Sequence, residues 1–197
     1  MLKPFDFRSI VAALDTVGAA SAHLLDEELR AALEHEAKGY DYAREAEVVG
    51  RGERVVRQQM ASFEIFPAGS AYLRLKEAFQ EALDQALVAM EEGVFTTQPV
   101  FNSMVLQKYE SGSLGITPHR DGRSYINLIC VFVIAGRGRF YVCADRMGNN
   151  PHEIDASPGR VIMLRAPGFR GSDSQPFHYV TDIPETRYTF GLRQKQT

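Results

Sequence analysis

The second half of the chain is a succession of short β-rich runs, and this pattern limits the fold more than any other feature. Eight runs predict strands at residues 103–109, 115–121, 126–135, 138–144, 152–156, 160–166, 177–183 and 187–194. Clusters of glycine, proline and asparagine, such as residues 148–151 and 157–159, separate the runs. Eight short strands packed into the stretch from residue 100 to the C-terminus are typical of a double-sheet jelly roll.

The first half of the chain carries helical patterns instead. Asp26 is a good N-cap for a helix that should end near Gly39. A second helix should begin near Ser70, follow an apolar stripe and end by Gly93. Between them, residues 54–66 mix β-branched, aromatic and polar side chains, which predicts one or two strands.

These patterns together predict an α+β fold with a double-stranded β-helix (jelly roll) core and N-terminal helices packed on one sheet. We expect residues 1–99 to be a helical support region and residues 100–197 to be the jelly-roll core. The sequence shows no flexible linker, internal repeat or low-complexity tract, so we expect the two regions to form one structural unit.

The charge of the chain is divided unevenly. Residues 1–99 hold 10 Lys+Arg against 17 Asp+Glu, whereas residues 100–197 hold 12 against 8. The basic excess of the second half is almost all arginine, which favours planar carboxylate or phosphate groups. This suits an acidic cosubstrate, and it permits nucleic acid without favouring it. No apolar run approaches the roughly 18 residues of a membrane helix, and no apolar leader is present, so we expect a cytoplasmic protein with no membrane partner.

A histidine and a carboxylate stand two positions apart in one of the predicted strands. Because alternate residues of a strand share a face, His119 and Asp121 should project side by side. His178, in the run at 177–183, is the candidate third ligand of a facial triad for non-haem Fe(II). The short motif alone is weak evidence, because His119 could equally be a histidine hydrogen-bonded by its neighbour.

Three further histidines compete for the role of third ligand. His23 and His35 fall on the acidic N-terminal helical region and should be solvated, and His152 follows a turn and should be exposed. His178 is preferred over His152 because it lies within a β-rich run that an arginine-bearing strand directly follows.

Two arginines of the last predicted strand complete the set. Arg187 and Arg193 are six positions apart, so they should share one face. Two arginines that face the inside of a barrel are costly without anions, and a dicarboxylate such as 2-oxoglutarate would satisfy them. The alternative is a pair of surface arginines on an edge strand.

On these residues, the C-terminal half resembles the Fe(II)/2-oxoglutarate-dependent dioxygenase superfamily, and within it the AlkB-like branch. The resemblance covers about residues 100–195. It rests on residues 101–109 with Gly112 and the Pro-His-Arg-Asp motif at 118–121, and on His178 with residues 187–194.

The resemblance implies a role for each matching residue. His119, Asp121 and His178 would bind Fe(II). Arg187 would hold the distal carboxylate of 2-oxoglutarate, and Arg193 would lie near its metal-chelating end. Tyr109 would donate a hydrogen bond to this cosubstrate, and Gln107 stands where the family commonly has asparagine.

The implied activity is hydroxylation or oxidative dealkylation of a substrate C–H bond by O2, coupled to conversion of 2-oxoglutarate to succinate and CO2. The substrate would be a small molecule or an alkylated nucleobase. An AlkB-type nucleic-acid demethylase is less favoured, since Gly122 and Arg123 follow the motif where such enzymes often have acidic residues. Five aromatics could stack a flipped base, although core packing fits them better: Tyr40, Tyr42, Phe63, Phe66 and Tyr72.

Two other classes of function remain open from the sequence. One is a non-catalytic jelly-roll module that binds an acidic ligand, and the other is a cupin-like metal-dependent isomerase or hydrolase. The facing arginine pair favours the oxygenase over both. Five more arginines could line a substrate entrance or could be solvated surface charge: Arg123, Arg137, Arg146, Arg165 and Arg170.

Overall fold

The structure is a computed structural model that describes residues 2–90 and 93–196. Its helices are α1 (Phe7–Thr16), α2 (Glu27–Lys38) and α3 (Ala71–Val88). The strands of the first half are β1 (Ala19–His23), β2 (Ala43–Arg44), β3 (Val48–Val49), β4 (Val56–Arg57) and β5 (Ala61–Phe63). The strands of the second half are β6 (Ser103–Tyr109), β7 (Ile116–His119), β8 (Tyr125–Ala135), β9 (Arg139–Cys143), β10 (His152–Ile154), β11 (Arg160–Arg165), β12 (Phe177–Thr181) and β13 (Arg187–Lys195).

The strands form two main antiparallel sheets and one hairpin. The large sheet has seven strands in the order β1-β11-β8-β13-β6-β5-β2. The small sheet has four strands in the order β10-β9-β12-β7, and β3 pairs with β4. In the second half of the chain, each strand lies in the other sheet from the strand before it, except that β9 and β10 are neighbours in the small sheet. Such alternation is expected for a jelly roll. The first 99 residues supply three helices and also three strands of the large sheet.

Two apolar layers hold these elements together. The first lies between the helices and the large sheet, where the ring of Phe79 meets that of Phe132 at 5.0 Å and Tyr72 meets Phe190 at 4.9 Å. The second lies between the two sheets and joins residues such as Val133 and Phe140. The large sheet is thus buried on both faces. A cavity lies in the second layer, between the two sheets.

Strand β8 shows how the sequence produces this arrangement. Even-numbered residues from Leu128 to Ile134 belong to the layer under the helices, whereas Ile129 and Val133 belong to the layer between the sheets. A strand that is covered on both faces has to be apolar without interruption, rather than alternating.

All eight strands predicted for the second half are present, with each boundary within two residues of the prediction. The two caps are also confirmed, because Asp26 accepts a hydrogen bond from the Leu29 N–H and Ser70 accepts one from the Leu73 N–H. Helix α3 ends at Val88, five residues before the expected stop at Gly93. The strands β4 and β5 confirm the prediction for residues 54–66.

Two parts of the first half were not predicted correctly. Helix α1 had no sequence-based prediction, and the region around His23 is strand rather than helix. His23 ends β1 and pairs with Arg160 of β11. Within residues 2–90 and 93–196, no helix combines the length and the apolar character needed to cross a membrane.

Candidate metal centre

Two histidines that are distant in the sequence meet across neighbouring strands of the small sheet. His119 ends β7 and His178 is the second residue of β12, and the two are direct cross-strand partners. Their ring centroids are 4.3 Å apart. Phe140 of β9 lies nearly parallel to the His178 ring, with the two centroids at 5.6 Å, and this contact fixes the ring orientation.

Asp121 completes the cluster from a loop rather than from a strand. The prediction that it shares a strand with His119 is wrong, because β7 ends at His119 and Asp121 lies outside any strand. The carboxylate nevertheless reaches the histidines, with Oδ2 3.3 Å from Nε2 of His178. One potential ligand atom from each of the three side chains lies within 4.8 Å of the other two.

Both imidazoles are held in the neutral form that a metal requires. Burial lowers the pKa of His119, against the attraction of Asp121. Burial, together with the neighbouring His119, lowers the pKa of His178 to about 4. The Thr117 carbonyl lies 3.0 Å from Nδ1 of His119. Because a carbonyl can only accept, Nδ1 carries the proton and Nε2 presents its lone pair to the cluster.

Asp121 is held as a carboxylate. Burial opposes its charge, but the nearby Arg193 guanidinium keeps the pKa of Asp121 below its usual value. Nε of Arg193 lies 3.6 Å from Oδ1 of Asp121, which is close enough for attraction but too long for a hydrogen bond. Two neutral imidazoles and one carboxylate fit Fe(II) in a facial triad.

The three side chains line one side of a cavity of about 270 Å³ between the two sheets. This volume lies just below the roughly 300–1,000 Å³ of drug-sized ligand pockets, so the cavity suits a small ligand. The opposite side of the cavity is formed by β13 and β6, which contribute Arg187, Thr189 and Arg193 together with Gln107 and Tyr109. All seven residues predicted for the site therefore line one cavity.

Arg187 is the most unusual residue of this cavity. It is only 1% exposed, and its Nε and Nη2 have no hydrogen-bond partner among the described residues. Burial lowers the pKa of Arg187 to about 10. A buried guanidinium without an anion is costly. Its surroundings therefore indicate that an anionic ligand belongs beside it.

Gly138 and Tyr109 lie next to the guanidinium of Arg187. A Cβ atom built on Gly138 would lie 3.0 Å from Cδ and 3.3 Å from Nε of Arg187, so glycine leaves the space that the side chain occupies. Tyr109 is the cross-strand partner of Arg187, and the guanidinium carbon lies 5.7 Å from the Tyr109 ring centroid.

The amide of Gln107 points toward a thioether. Its Nε2 donates a hydrogen bond to Sδ of Met60 at 3.1 Å.

Sequence reasoning missed two contributions to the cavity. Thr189 lies two positions after Arg187 on the same strand face, and its buried hydroxyl has no partner among the described residues. The even spacing from Arg187 was a signal that could have identified it. The β3–β4 hairpin is the second contribution, since Val49 and Val56 form part of the cavity wall.

Other candidates from the sequence lie away from the cavity. The five aromatics considered for base stacking pack in the layer between the helices and the large sheet, on the face of β13 opposite to Arg187. His152 is exposed at the start of β10. None of the five further arginines lines the cavity, but Arg120, which follows the first histidine, does.

Comparison with known proteins shows likeness in structure only. No protein-family model matches the chain, and no curated protein matches its sequence. Among solved structures, it resembles a prolyl hydroxylase from Trichoplax adhaerens in complex with a hypoxia inducible factor oxygen degradation domain peptide fragment. The TM-score is 0.71 at 13% identity, over 96% of this chain and 88% of that chain.

Two further likenesses are to a prolyl-4-hydroxylase from Pseudomonas putida and to HygX from Streptomyces hygroscopicus with nickel and 2-oxoglutarate bound. The first has a TM-score of 0.67 at 15% identity, over 96% of this chain and 98% of that one. The second has a TM-score of 0.61 at 12% identity, over 96% and 87%. At such identities the likeness shows only that the chain shares a fold with these proteins. The AlkB-like branch stays a prediction.

Proposed function

We propose that this protein is an Fe(II)- and 2-oxoglutarate-dependent dioxygenase that hydroxylates or oxidatively dealkylates a substrate C–H bond. The observation that carries the proposal is one small cavity with two chemically different ends. Two neutral imidazoles and a carboxylate form one end, and a buried guanidinium that has no acidic partner among the described residues forms the other. A metal and a dicarboxylate together satisfy both ends, and neither alone does.

The fold supports the same reading. The order of strands β6 to β13 in two sheets suits a double-stranded β-helix, and the first 99 residues would act as its support within one structural unit. HygX, which shares this fold, binds nickel and 2-oxoglutarate. A jelly-roll module without a metal would explain the buried arginine, but it would give no role to the two neutral histidines beside Asp121.

In this proposal, His119, Asp121 and His178 hold Fe(II), which supplies the activation of O2 and couples it to the decarboxylation of 2-oxoglutarate to succinate and CO2. The remaining residues orient the cosubstrate. Arg187 forms a charge-assisted pair with the distal carboxylate, and Thr189 donates its hydroxyl to the same group. Tyr109 closes the side of the cavity next to Arg187, and Arg193 lies near the metal end and keeps Asp121 ionised.

Apolar side chains form part of the cavity wall and would limit the water around the reacting groups once the cosubstrate is bound. Ile116, Phe140 and Val180 supply apolar walls between the two sheets. A dry site strengthens the attraction between Arg187 and a carboxylate and limits side reactions. The substrate itself would be a small molecule or a group presented by a larger one. A cytoplasmic location remains an expectation from the sequence.

The test of the proposal is succinate formation from 2-oxoglutarate by the purified protein, with and without Fe(II), in the absence of a prime substrate. We expect slow iron-dependent turnover that is lost in His119→Ala. The matched control is His152→Ala, which removes an exposed histidine outside the cavity and should leave turnover unchanged. Equal turnover in the wild-type protein and in His119→Ala would contradict the proposal.

A further inference from the structure

A buried glutamine lies beside two of the proposed metal ligands, outside the cavity described above. Gln175 belongs to the loop before β12, three residues ahead of His178. Residues 172–174 of this loop are exposed, whereas Gln175 is only 8% exposed. Its Nε2 atom is buried and has no hydrogen-bond partner among the described residues. Because burying an amide without a hydrogen bond is costly, a glutamine at this position calls for an explanation.

Gln175 lines a narrow gap that it shares with two of these ligands. Asp121 and His178 line the same gap, and Ile129 and Leu164 supply apolar walls. The gap has no room for a water molecule, so water cannot satisfy the amide there. Asp121 supplies the only acidic side chain among the residues that line the gap. Its carboxylate is therefore the strongest acceptor that this gap offers to the Gln175 amide.

The carboxylate of Asp121 is common to the gap and to the cavity of the metal centre. Asp121 and His178 line both spaces, whereas Gln175 lines the gap alone. A carboxylate that binds a metal through one oxygen leaves the other free to accept a hydrogen bond, and such bonds orient the ligand. The Gln175 amide can donate this bond without adding a positive charge that would repel the metal ion.

The loop that carries Gln175 is fixed on both sides of this residue. On one side, Nη2 of Arg165 donates to Oγ of Ser174 at 3.2 Å, and Nη1 of the same arginine donates to a carbonyl oxygen of α1 at 3.0 Å. On the other side, the backbone packs closely against Pro176, because a Cβ atom built on Gly18 would lie 3.2 Å from Cβ of Pro176. The side chain of Gln175 is thus presented to the gap from an anchored backbone.

We propose that Gln175 is a positioning residue of the metal centre, whose Nε2 donates to the Asp121 carboxylate and holds it in the orientation that binds the metal. This inference rests on the proposed oxygenase function and adds a residue to its metal site. The unpartnered amide lowers the stability of the protein without metal, and the hydrogen bond raises its affinity for the metal. A glutamine that only fills space has the opposite signature, because its removal lowers stability and leaves metal affinity unchanged.

The test compares Gln175→Met, which keeps the length of the side chain but has no donor, with the wild-type protein. In urea unfolding of the metal-free protein, we expect the midpoint of Gln175→Met to equal or exceed that of the wild-type protein. In titrations with Co(II), an air-stable probe for the Fe(II) site, we expect at least tenfold weaker binding. The ligand-field absorption bands of bound Co(II) should also shift, because the orientation of Asp121 changes. Gln175→Asn keeps the amide on a shorter side chain, so its affinity should fall between the two.

Gln80→Met is the matched control. Gln80 lies on α3, where Nε2 donates to the Pro99 carbonyl at 2.9 Å and Oε1 accepts from the Phe101 N–H at 3.0 Å. Its replacement should lower the urea midpoint and leave the affinity and absorption bands of Co(II) unchanged.

Two results for Gln175→Met would overturn the inference while the metal site stands. One is Co(II) affinity and absorption bands equal to those of the wild-type protein, and the other is a lower urea midpoint. A wild-type protein that binds no Co(II) would instead overturn the inference and the proposed function together.

Discussion

His119 and His178 are direct partners across two antiparallel strands, with their ring centroids 4.3 Å apart. The pair depends on strand register, because a slip of one residue would turn His178 outward and bring Phe177 toward the cavity. The register of β12 is set on its other side by five consecutive pairs with β9, from Phe177 with Cys143 to Thr181 with Arg139. The metal centre is therefore a consequence of sheet pairing.

The first prediction concerns the cost of burying Arg187. Replacement by methionine removes a charge and two nitrogen donors, Nε and Nη2, that have no partner among the described residues, while keeping a long side chain. We expect Arg187→Met to raise the free energy of unfolding of the protein without metal or 2-oxoglutarate by about 1–3 kcal/mol. Urea unfolding measures this change directly.

A matched control is Arg137→Met, in which the arginine is exposed and paired with Glu185. This substitution should change the free energy of unfolding by less than about 0.5 kcal/mol. Added 2-oxoglutarate should stabilise the wild-type protein in the presence of a divalent metal, and it should not stabilise Arg187→Met. A variant that unfolds at lower urea than the wild-type protein would show that Arg187 is already satisfied.

A second prediction concerns the space that Gly138 leaves for the side chain of Arg187. In Gly138→Ala the new methyl group would press on Cδ and Nε of Arg187, at 3.0 and 3.3 Å. The guanidinium has to shift, so we expect the KM for 2-oxoglutarate to rise by about tenfold while iron affinity is unchanged. Gly93→Ala is the control, because no atom of the described part of the chain lies within 4 Å of a Cβ at that position. An unchanged KM in Gly138→Ala would contradict the assignment of Arg187.

Thr189 provides a third prediction. Its buried hydroxyl has no partner among the described residues, and valine has nearly the same shape. We expect Thr189→Val to weaken 2-oxoglutarate binding by about 1 kcal/mol, or roughly fivefold in Kd, and to leave the stability of the free protein unchanged or higher. Thr181→Val, at the end of β12 and outside the cavity, should show no effect on binding.

The second half of the chain could be predicted closely because its local signals agree. Each strand is bounded by turn residues, and burial on two faces makes β8 and β11 continuous apolar runs. The even spacing of Arg187 and Arg193 correctly placed both in the cavity. The spacing of His119 and Asp121, with the β-rich run that contains His178, also identified these three residues as one cluster.

The first half was harder to predict because its elements depend on distant contacts. Strand β1, Ala19–His23, is short and contains mostly small residues, and it is a strand because it pairs along its whole length with β11. Helix α1 has only ten residues, which is marginal in isolation. Its buried face, including Ile10 and Leu14, is stabilised by the large sheet.

The incorrect predictions at the metal site also arise from contacts between residues that are distant in the sequence. Asp121 was expected on a strand, yet β7 stops at His119 and the loop carries the carboxylate back to the histidines. The β3–β4 hairpin reaches the cavity because Gln58 bridges to Ile116 beside it. No local pattern in the sequence encodes that contact.

The most direct measurement of the central claim is the stoichiometry of Fe(II) binding under anaerobic conditions, in the wild-type protein, His178→Ala and His152→Ala. We expect one tightly bound Fe(II) per chain in the wild-type protein and in His152→Ala, and none in His178→Ala. Binding of one Fe(II) by His178→Ala with unchanged affinity would show that these three side chains do not form the metal site.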